Sequence, residues 1–131
     1  MENAVCIDTD ILVNFLRNKP EALKWIADNQ DNNLATTLIN VFELYYGAYR
    51  SADPEKSKVG LNQLIAQLNI LNLSEKSVEE AAKEITELEK KGQAIDIKDL
   101  LIGTIALTEG YSMKTDNINH FSRISGLQLA P

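Results

Sequence analysis

Four short apolar runs, each ending at a polar residue and followed by residues at helical spacing, constrain this chain more than any other feature. Ala4 to Ile7 stops at Asp8, and Leu34 to Thr36 stops at Thr37. Asn69 to Leu73 stops at Ser74, and Tyr111 to Lys114 stops at Thr115. No two of these runs are joined by a tight-turn signal. Strands that alternate with helices and lack hairpins build parallel βαβ units. Ile124 to Leu129 adds a final edge strand. The expected fold is α/β: three layers, a central parallel sheet of four to five short strands, helices on both faces. With 131 residues and no repeat or linker, residues 1–131 form a single domain.

The helices follow from spacing and caps. Ile11, Leu12, Phe15 and Leu16 continue from Asp8 or Thr9 as cap, and Asn18-Lys19-Pro20 breaks that helix. Pro20 opens a second, with Leu23, Trp25, Ile26 and Ala27 as its apolar side. Thr37 or Asn40 starts a third, running to about Arg50, whose apolar stretch the acid Glu43 interrupts. Asp53 caps a fourth through Ile65. Ser74 or Ser77 opens a long helix to Lys91, with Val78, Ala81, Ala82, Ile85 and Leu88 inward and its charges solvated. Gly92 closes it. Leu100 to Leu107 is apolar on nearly all sides and is expected at the centre. Ile118 to Phe121 is a helical turn.

Composition narrows the function. A net charge of -6 argues against gripping nucleic acid by bulk electrostatics, although acids that bind cations overstate the charge of the loaded protein. The lone cysteine, Cys6, sits in an apolar run and reads as a buried, inert thiol. There is no signal peptide and no run long enough to span a bilayer, so no membrane partner is expected and the cytoplasm is the default.

Acids mark four places: Asp8 with Asp10, Glu43, Asp96 with Asp99, and Asp116 with Asn117. Two follow strands directly, where ligands collect in open α/β sheets. Two lie at or inside helices that are otherwise apolar, where a carboxylate is penalised unless paired or liganded. Singly, Asp8, Asp99 and Asp116 read equally well as helix caps and Glu43 as a solvated side chain. Together they suit an all-oxygen site for Mg²⁺ or Mn²⁺, which leaves room for phosphate. No pair of histidines or cysteines supports zinc. Phosphodiester hydrolysis by a metal-activated water is the matching chemistry.

In order, Asp8-Thr9-Asp10-Ile11-Leu12, Glu43-Leu44-Tyr45-Tyr46-Gly47-Ala48, Asp99-Leu100-Leu101-Ile102-Gly103 and Thr115-Asp116-Asn117-Ile118-Asn119-His120-Phe121 resemble PIN-domain proteins. Within them the chain resembles the VapC toxins of toxin–antitoxin pairs, over almost its whole length. The resemblance implies a PIN-like fold with an acidic pocket at the carboxyl edge of the sheet. It implies a Mg²⁺- or Mn²⁺-dependent endoribonuclease acting on RNA, commonly a homodimer, held in check by a cognate VapB antitoxin. Asp8, Glu43 and Asp99 match the family's core acids and are expected as catalytic residues and metal ligands. The fourth is Asp116, or Asn117 where many relatives carry the polar or acidic residue. Thr9, Asp10, Asp96, Thr115 and Asn117 are the expected supporting or substrate-facing residues. Asp10 stands where Asn is usual, and Gly103 where alanine is common.

Other residues carry weaker signals. His120 is the only histidine, and a structural role is weighed ahead of RNA contact. Phe42, Tyr45, Tyr46 and Tyr49 crowd one helix and are either core or an interface for a second copy or an antitoxin segment. Arg17, Lys19, Arg50, Lys98, Lys114 and Arg123 are either phosphate contacts or surface charge. Three further readings compete. A haloacid-dehalogenase-like phosphatase would use Asp8 and Asp10, but Leu12 fits it poorly and Glu43 goes unexplained. A degenerate PIN module would bind RNA or a partner without cutting, against which the intact acids argue. A receiver domain lacks its phosphoacceptor at Asn72-Leu73-Ser74.

Overall fold

A computed structural model of the chain describes residues 3–131. The elements are β1 (Ala4–Ile7), α1 (Thr9–Leu16), α2 (Pro20–Asp28), β2 (Asn33–Thr37), α3 (Leu38–Tyr49) and α4 (Pro54–Ile65). They continue with β3 (Asn69–Leu71), α5 (Glu75–Lys90), α6 (Ile97–Thr108), β4 (Ser112–Lys114) and α7 (Ile118–Phe121). The sheet order is β3-β2-β1-β4 and every pairing is parallel. Strand alternation gives β1 two faces. Cys6 packs with Ala35, Leu71, Leu100, Ile105 and Met113 under α5 and α6. Ile7 packs on the other side with Ile11, Leu12, Leu44, Leu61 and Leu64 from α1, α3 and α4.

That order has a functional consequence. The chain leaves β1 toward β2 and β3, then returns across it to β4, so the strand order reverses at β1. A crevice opens there at the carboxyl ends of the strands, where open α/β sheets bind ligands. Asp8 follows β1, Thr37 ends β2 and Thr115 follows β4, and hydrogen bonds through Asn40 and the Thr115 hydroxyl link all three in that crevice.

The expected α/β architecture is present, with four strands. Three local expectations are corrected. Ile124 to Leu129 is not a strand: Leu129 alone bridges to Met113, while Ile124 turns inward and is buried. Gly126, at φ +82°, turns the chain back before it reaches the sheet edge. The inward side of α5 is Ser77, Ala81, Glu84 and Leu88, whereas Val78 and Ala82 face solvent. Ser77 is fixed inside by a capping box with Ser74, and Glu84 is satisfied by the Ser125 amide at 3.3 Å. Val78 instead takes the N4 position opposite Leu73 at N′, the two places a hydrophobic staple uses. In α2 the buried pair is Ala22 and Ile26, while Leu23 and Ala27 are exposed.

Gly103 lies fully inside α6. A Cβ there would collide with Ile124 Cδ1 and stand 3.3 Å from both Leu127 Cδ2 and Phe121 Cδ1. Cys6 is buried, and burial followed by the nearby Asp8 charge pushes its thiol far up, so it is inert. Among the described residues no helix is long and apolar enough to cross a membrane.

Candidate active site

Asp8 is the N-cap of α1, and its Oδ1 accepts from the Thr9 amide at 2.9 Å. It is also 6% exposed, so the cap is a carboxylate held almost out of water. Oδ1 takes a second hydrogen bond from Asn40 Nδ2 at 3.1 Å, and Oδ2 takes one from the Thr115 hydroxyl at 2.6 Å. Three donors favour the charged form, yet burial outweighs them. Burial first, with the charges of Asp10 and Asp99 adding, pushes the Asp8 carboxyl from 3.8 up to about 6. A positive charge placed beside such a carboxyl would favour its ionised form.

Glu43 enters from α3. The start of that helix is fixed by a capping box in which Thr37 and Asn40 bond reciprocally. The box ties Asn40 Oδ1 to the Thr37 hydroxyl at 2.7 Å, which aims Nδ2 at Asp8 and at Thr9 Oγ1, the latter at 2.9 Å. Three residues on, Glu43 shares that face. Its Oε1 accepts from the Thr9 hydroxyl at 2.8 Å and its Oε2 pairs with Lys98 Nζ at 3.2 Å. Thr9 thus accepts from Asn40 and donates to Glu43, coupling two helices to the end of β1.

Asp99 stands in the first turn of α6, with Asp96 as that helix's N-cap accepting from the Lys98 amide at 2.8 Å. Asp99 Oδ2 accepts from Asn117 Nδ2 at 2.9 Å and lies 2.7 Å from His120 Nδ1. The same ring nitrogen lies 3.0 Å from Asn117 Nδ2. Asp10 Oδ1 accepts from the Ile11 amide at 2.7 Å and Oδ2 from the Asp116 amide at 3.0 Å. Burial, then the charge of Asp116, raises the Asp10 carboxyl as well.

The structure therefore brings Asp8, Thr9, Asp10, Glu43, Asp99, Thr115 and Asn117 into one hydrogen-bonded group. Of the pair after β4, the Asn117 side chain reaches Asp99, while Asp116 contributes its amide and leaves its carboxylate exposed. Asp96 serves its helix end. Two residues carry more than the sequence suggested. Asn40 is fully buried and holds Asp8 and Thr9 together; the Thr-x-x-Asn box three residues before Glu43 was the available signal. His120 touches Asp99, and α7 spacing from Asn117 would have placed both on one face. Of the six basic residues weighed, Lys98 alone pairs with one of these acids among the described residues. Arg50 and Lys114 lie over the rings of Tyr46 and Trp25, and Arg123 donates to the Ala94 carbonyl.

Among the described residues no three His, Cys, Asp or Glu side chains converge in ligand geometry. The donor set is nevertheless anionic oxygen from the end of β1 and from α1, α3 and α6, with the Asp8 and Asp10 carboxyls pushed up by burial and by neighbouring acids. That chemistry fits Mg²⁺ or Mn²⁺. Beside Glu43, a groove of about 450 Å³ runs between α1, α3 and α4, lined by Val13, Leu16, Arg17, Leu44 and Gly47. The outer side of α3 leaves Leu38, Phe42, Tyr46 and Tyr49 exposed, Phe42 by 63%. Phe42 and Tyr46 stack at 6.2 Å.

Comparison with known proteins agrees with this geometry. The PIN domain family matches residues 5–127. Ribonuclease VapC2 of Rickettsia felis is 34% identical over 127 residues, covering 94% of this chain and 93% of that protein. The tRNA(fMet)-specific endonuclease VapC of Salmonella typhimurium is 26% identical, covering 94% and 93%. The crystal structure of DNA-bound VapBC from Salmonella typhimurium superposes with a TM-score of 0.88 at 26% identity, over 99% of this chain and 98% of that one. The match does not favour the phosphatase reading built on Asp8 and Asp10. A switch-point crevice lined with acids, on a fold and sequence similar to these proteins over more than nine-tenths of the chain, places it in the PIN-domain family, among the VapC ribonucleases.

Proposed function

We propose that this protein is a Mg²⁺- or Mn²⁺-dependent endoribonuclease, the toxin of a VapBC-type pair, acting in the cytoplasm. The observation that carries the reading is Asp8: a carboxylate at the strand-order reversal, buried, raised to about 6, and within reach of the charges of Asp10 and Asp99. Asp8, Glu43 and Asp99 would hold the metal, with Asn117 steadying Asp99 and Asp116 as an outer acid. A bound Mg²⁺ or Mn²⁺ supplies Lewis acidity for the phosphate and lowers the pKa of the attacking water. The protein's own groups set the geometry. Thr9, Asn40 and Thr115 fix the directions of the Glu43 and Asp8 oxygens, and His120 and Asn117 fix those of Asp99. No histidine base is needed.

The exposed α3 face, Leu38, Phe42, Tyr46 and Tyr49, suits a homodimer contact. The apolar groove ending at Glu43 suits a segment of a VapB antitoxin, as the VapBC complexes among the relatives suggest.

The test is RNA cleavage by protein free of antitoxin, on total RNA and on a transcribed initiator tRNA. Activity should need Mg²⁺ or Mn²⁺, stop with EDTA, and be lost in Glu43→Gln and Asp99→Asn while both variants keep the wild-type circular dichroism. Cleavage by either variant at the wild-type rate would refute the site. Binding of RNA without any cleavage would favour the degenerate, binding-only module.

A further inference from the structure

The ion pair between Lys98 and Glu43 crosses the mouth of the site, from the first turn of α6 to the middle of α3, at 3.2 Å. Stability does not explain it. The Lys98 side chain is 54% exposed, and a solvent-exposed pair contributes little while ordering a long side chain. Its surroundings are informative instead. Glu43 Oε1 is already committed to the Thr9 hydroxyl, so Oε2 is the oxygen left to face a cation, and the Lys98 ammonium occupies it. The charges of Asp96 and Asp99 also act on Lys98, so it sits in the field of three acids at once.

Resting on the metal-dependent reading above, we propose that Lys98 is a tethered counter-ion: it holds Glu43 in the metal-free protein and must leave that oxygen when a divalent cation binds. The flexible four-carbon stem and exposed position allow the exchange without moving either helix. Lys98 is then a positioning residue that acts through Glu43 and sets how tightly the site takes metal. Removing its charge removes both a competitor for Oε2 and a repulsive charge near the cation. For an exposed unit charge roughly 6 Å from a dication, in water-like dielectric and with salt screening, the change in affinity is about three- to tenfold.

The experiment is calorimetric titration of Mn²⁺ into the full chain after EDTA treatment and desalting, comparing wild type, Lys98→Gln and Lys98→Arg, with a thermal melt of each. Lys98→Gln should bind Mn²⁺ about three- to tenfold tighter, and Lys98→Arg should stay within about twofold of wild type. The sign is the diagnostic, because a lysine that merely braces the fold would weaken binding when removed. Saturable wild-type binding with equal or weaker binding by Lys98→Gln overturns the role of Lys98 and leaves the metal site standing. No binding by wild type or Lys98→Gln overturns both. Binding seen only in Lys98→Gln supports the proposal in its strongest form.

Discussion

Replacing Asp8 with asparagine should make the metal-free protein more stable while removing its activity. Asp8 is 6% exposed, and its carboxyl is raised from 3.8 to about 6. Between those values the folded protein retains a proton that the unfolded chain releases. Stability therefore falls as pH climbs from about 4 to about 6 and stays low above it. A rise of that size corresponds to roughly 3 kcal/mol at neutral pH. The substituted side chain would keep the bonds from Thr9 and Asn40 through its oxygen and donate to Thr115 Oγ1 through its amide, with the Thr115 hydroxyl turning toward Asp10, 3.5 Å away. Allowing for imperfect re-pairing, the gain at pH 7.5 is about 1–3 kcal/mol, or about 3–10 °C in Tm for a chain of this size. The assay is urea unfolding in EDTA, followed by Trp25 fluorescence and circular dichroism, for wild type and Asp8→Asn at pH 4 and pH 7.5. The gain should be present at pH 7.5 and nearly gone at pH 4, where Asp8 itself is neutral in the fold. If Asp8→Asn loses more stability at pH 7.5 than at pH 4, the three donors outweigh burial and the reasoning is wrong.

Other outcomes follow from the same geometry. Saturating Mn²⁺, at about 100 times its Kd, should add about 2.7 kcal/mol of stability to wild type at pH 7.5 and markedly less to Asp99→Asn, read by thermal melts with and without EDTA. Gly103→Ala gains helix propensity but overpacks Ile124, Phe121 and Leu127, for a net loss of about 1 kcal/mol; adding Ile124→Val should recover it, measured as a double-mutant cycle. Phe42→Asp with Tyr46→Asp, on the exposed side of α3, should leave the fold and Mn²⁺ binding intact but convert a dimer to a monomer in light scattering. An unchanged mass would remove α3 from the dimer contact. Thr115→Val should raise the Asp8 carboxyl further by removing its 2.6 Å donor, shifting the onset of metal binding to higher pH in calorimetry.

Much of this was legible in the sequence because its signals were local. The Asp8 cap, the Thr37–Asn40 start of α3 and the Asp53 cap of α4 are rules of helix ends, and each appears where the pattern placed it. The parallel sheet followed from strands without hairpins. What escaped depends on tertiary neighbours. The buried side of α5 includes Glu84 because the Ser125 amide arrives from a distant part of the chain, and no periodicity of apolar residues reports that. Ile124 points inward because Gly103 leaves space for it, a complementarity between segments that no single window contains. In the site, the acids themselves were visible as carboxylates in apolar settings. Their connectors Asn40 and His120 were less so, because an asparagine in a capping box and a histidine in a short helix have ordinary local explanations. Lys98 looked like any surface lysine until the fold brought Glu43 to it.

The most direct test of the central claim is to locate the cation. Crystals of the antitoxin-free protein soaked in Mn²⁺ would be examined for anomalous scattering. The account predicts a peak within coordination distance of the Asp8 and Asp99 carboxylates, with Glu43 ligating directly or through water and Lys98 swung away from Oε2. A peak held by Asp96 or Asp116 alone, away from Asp8, would contradict it.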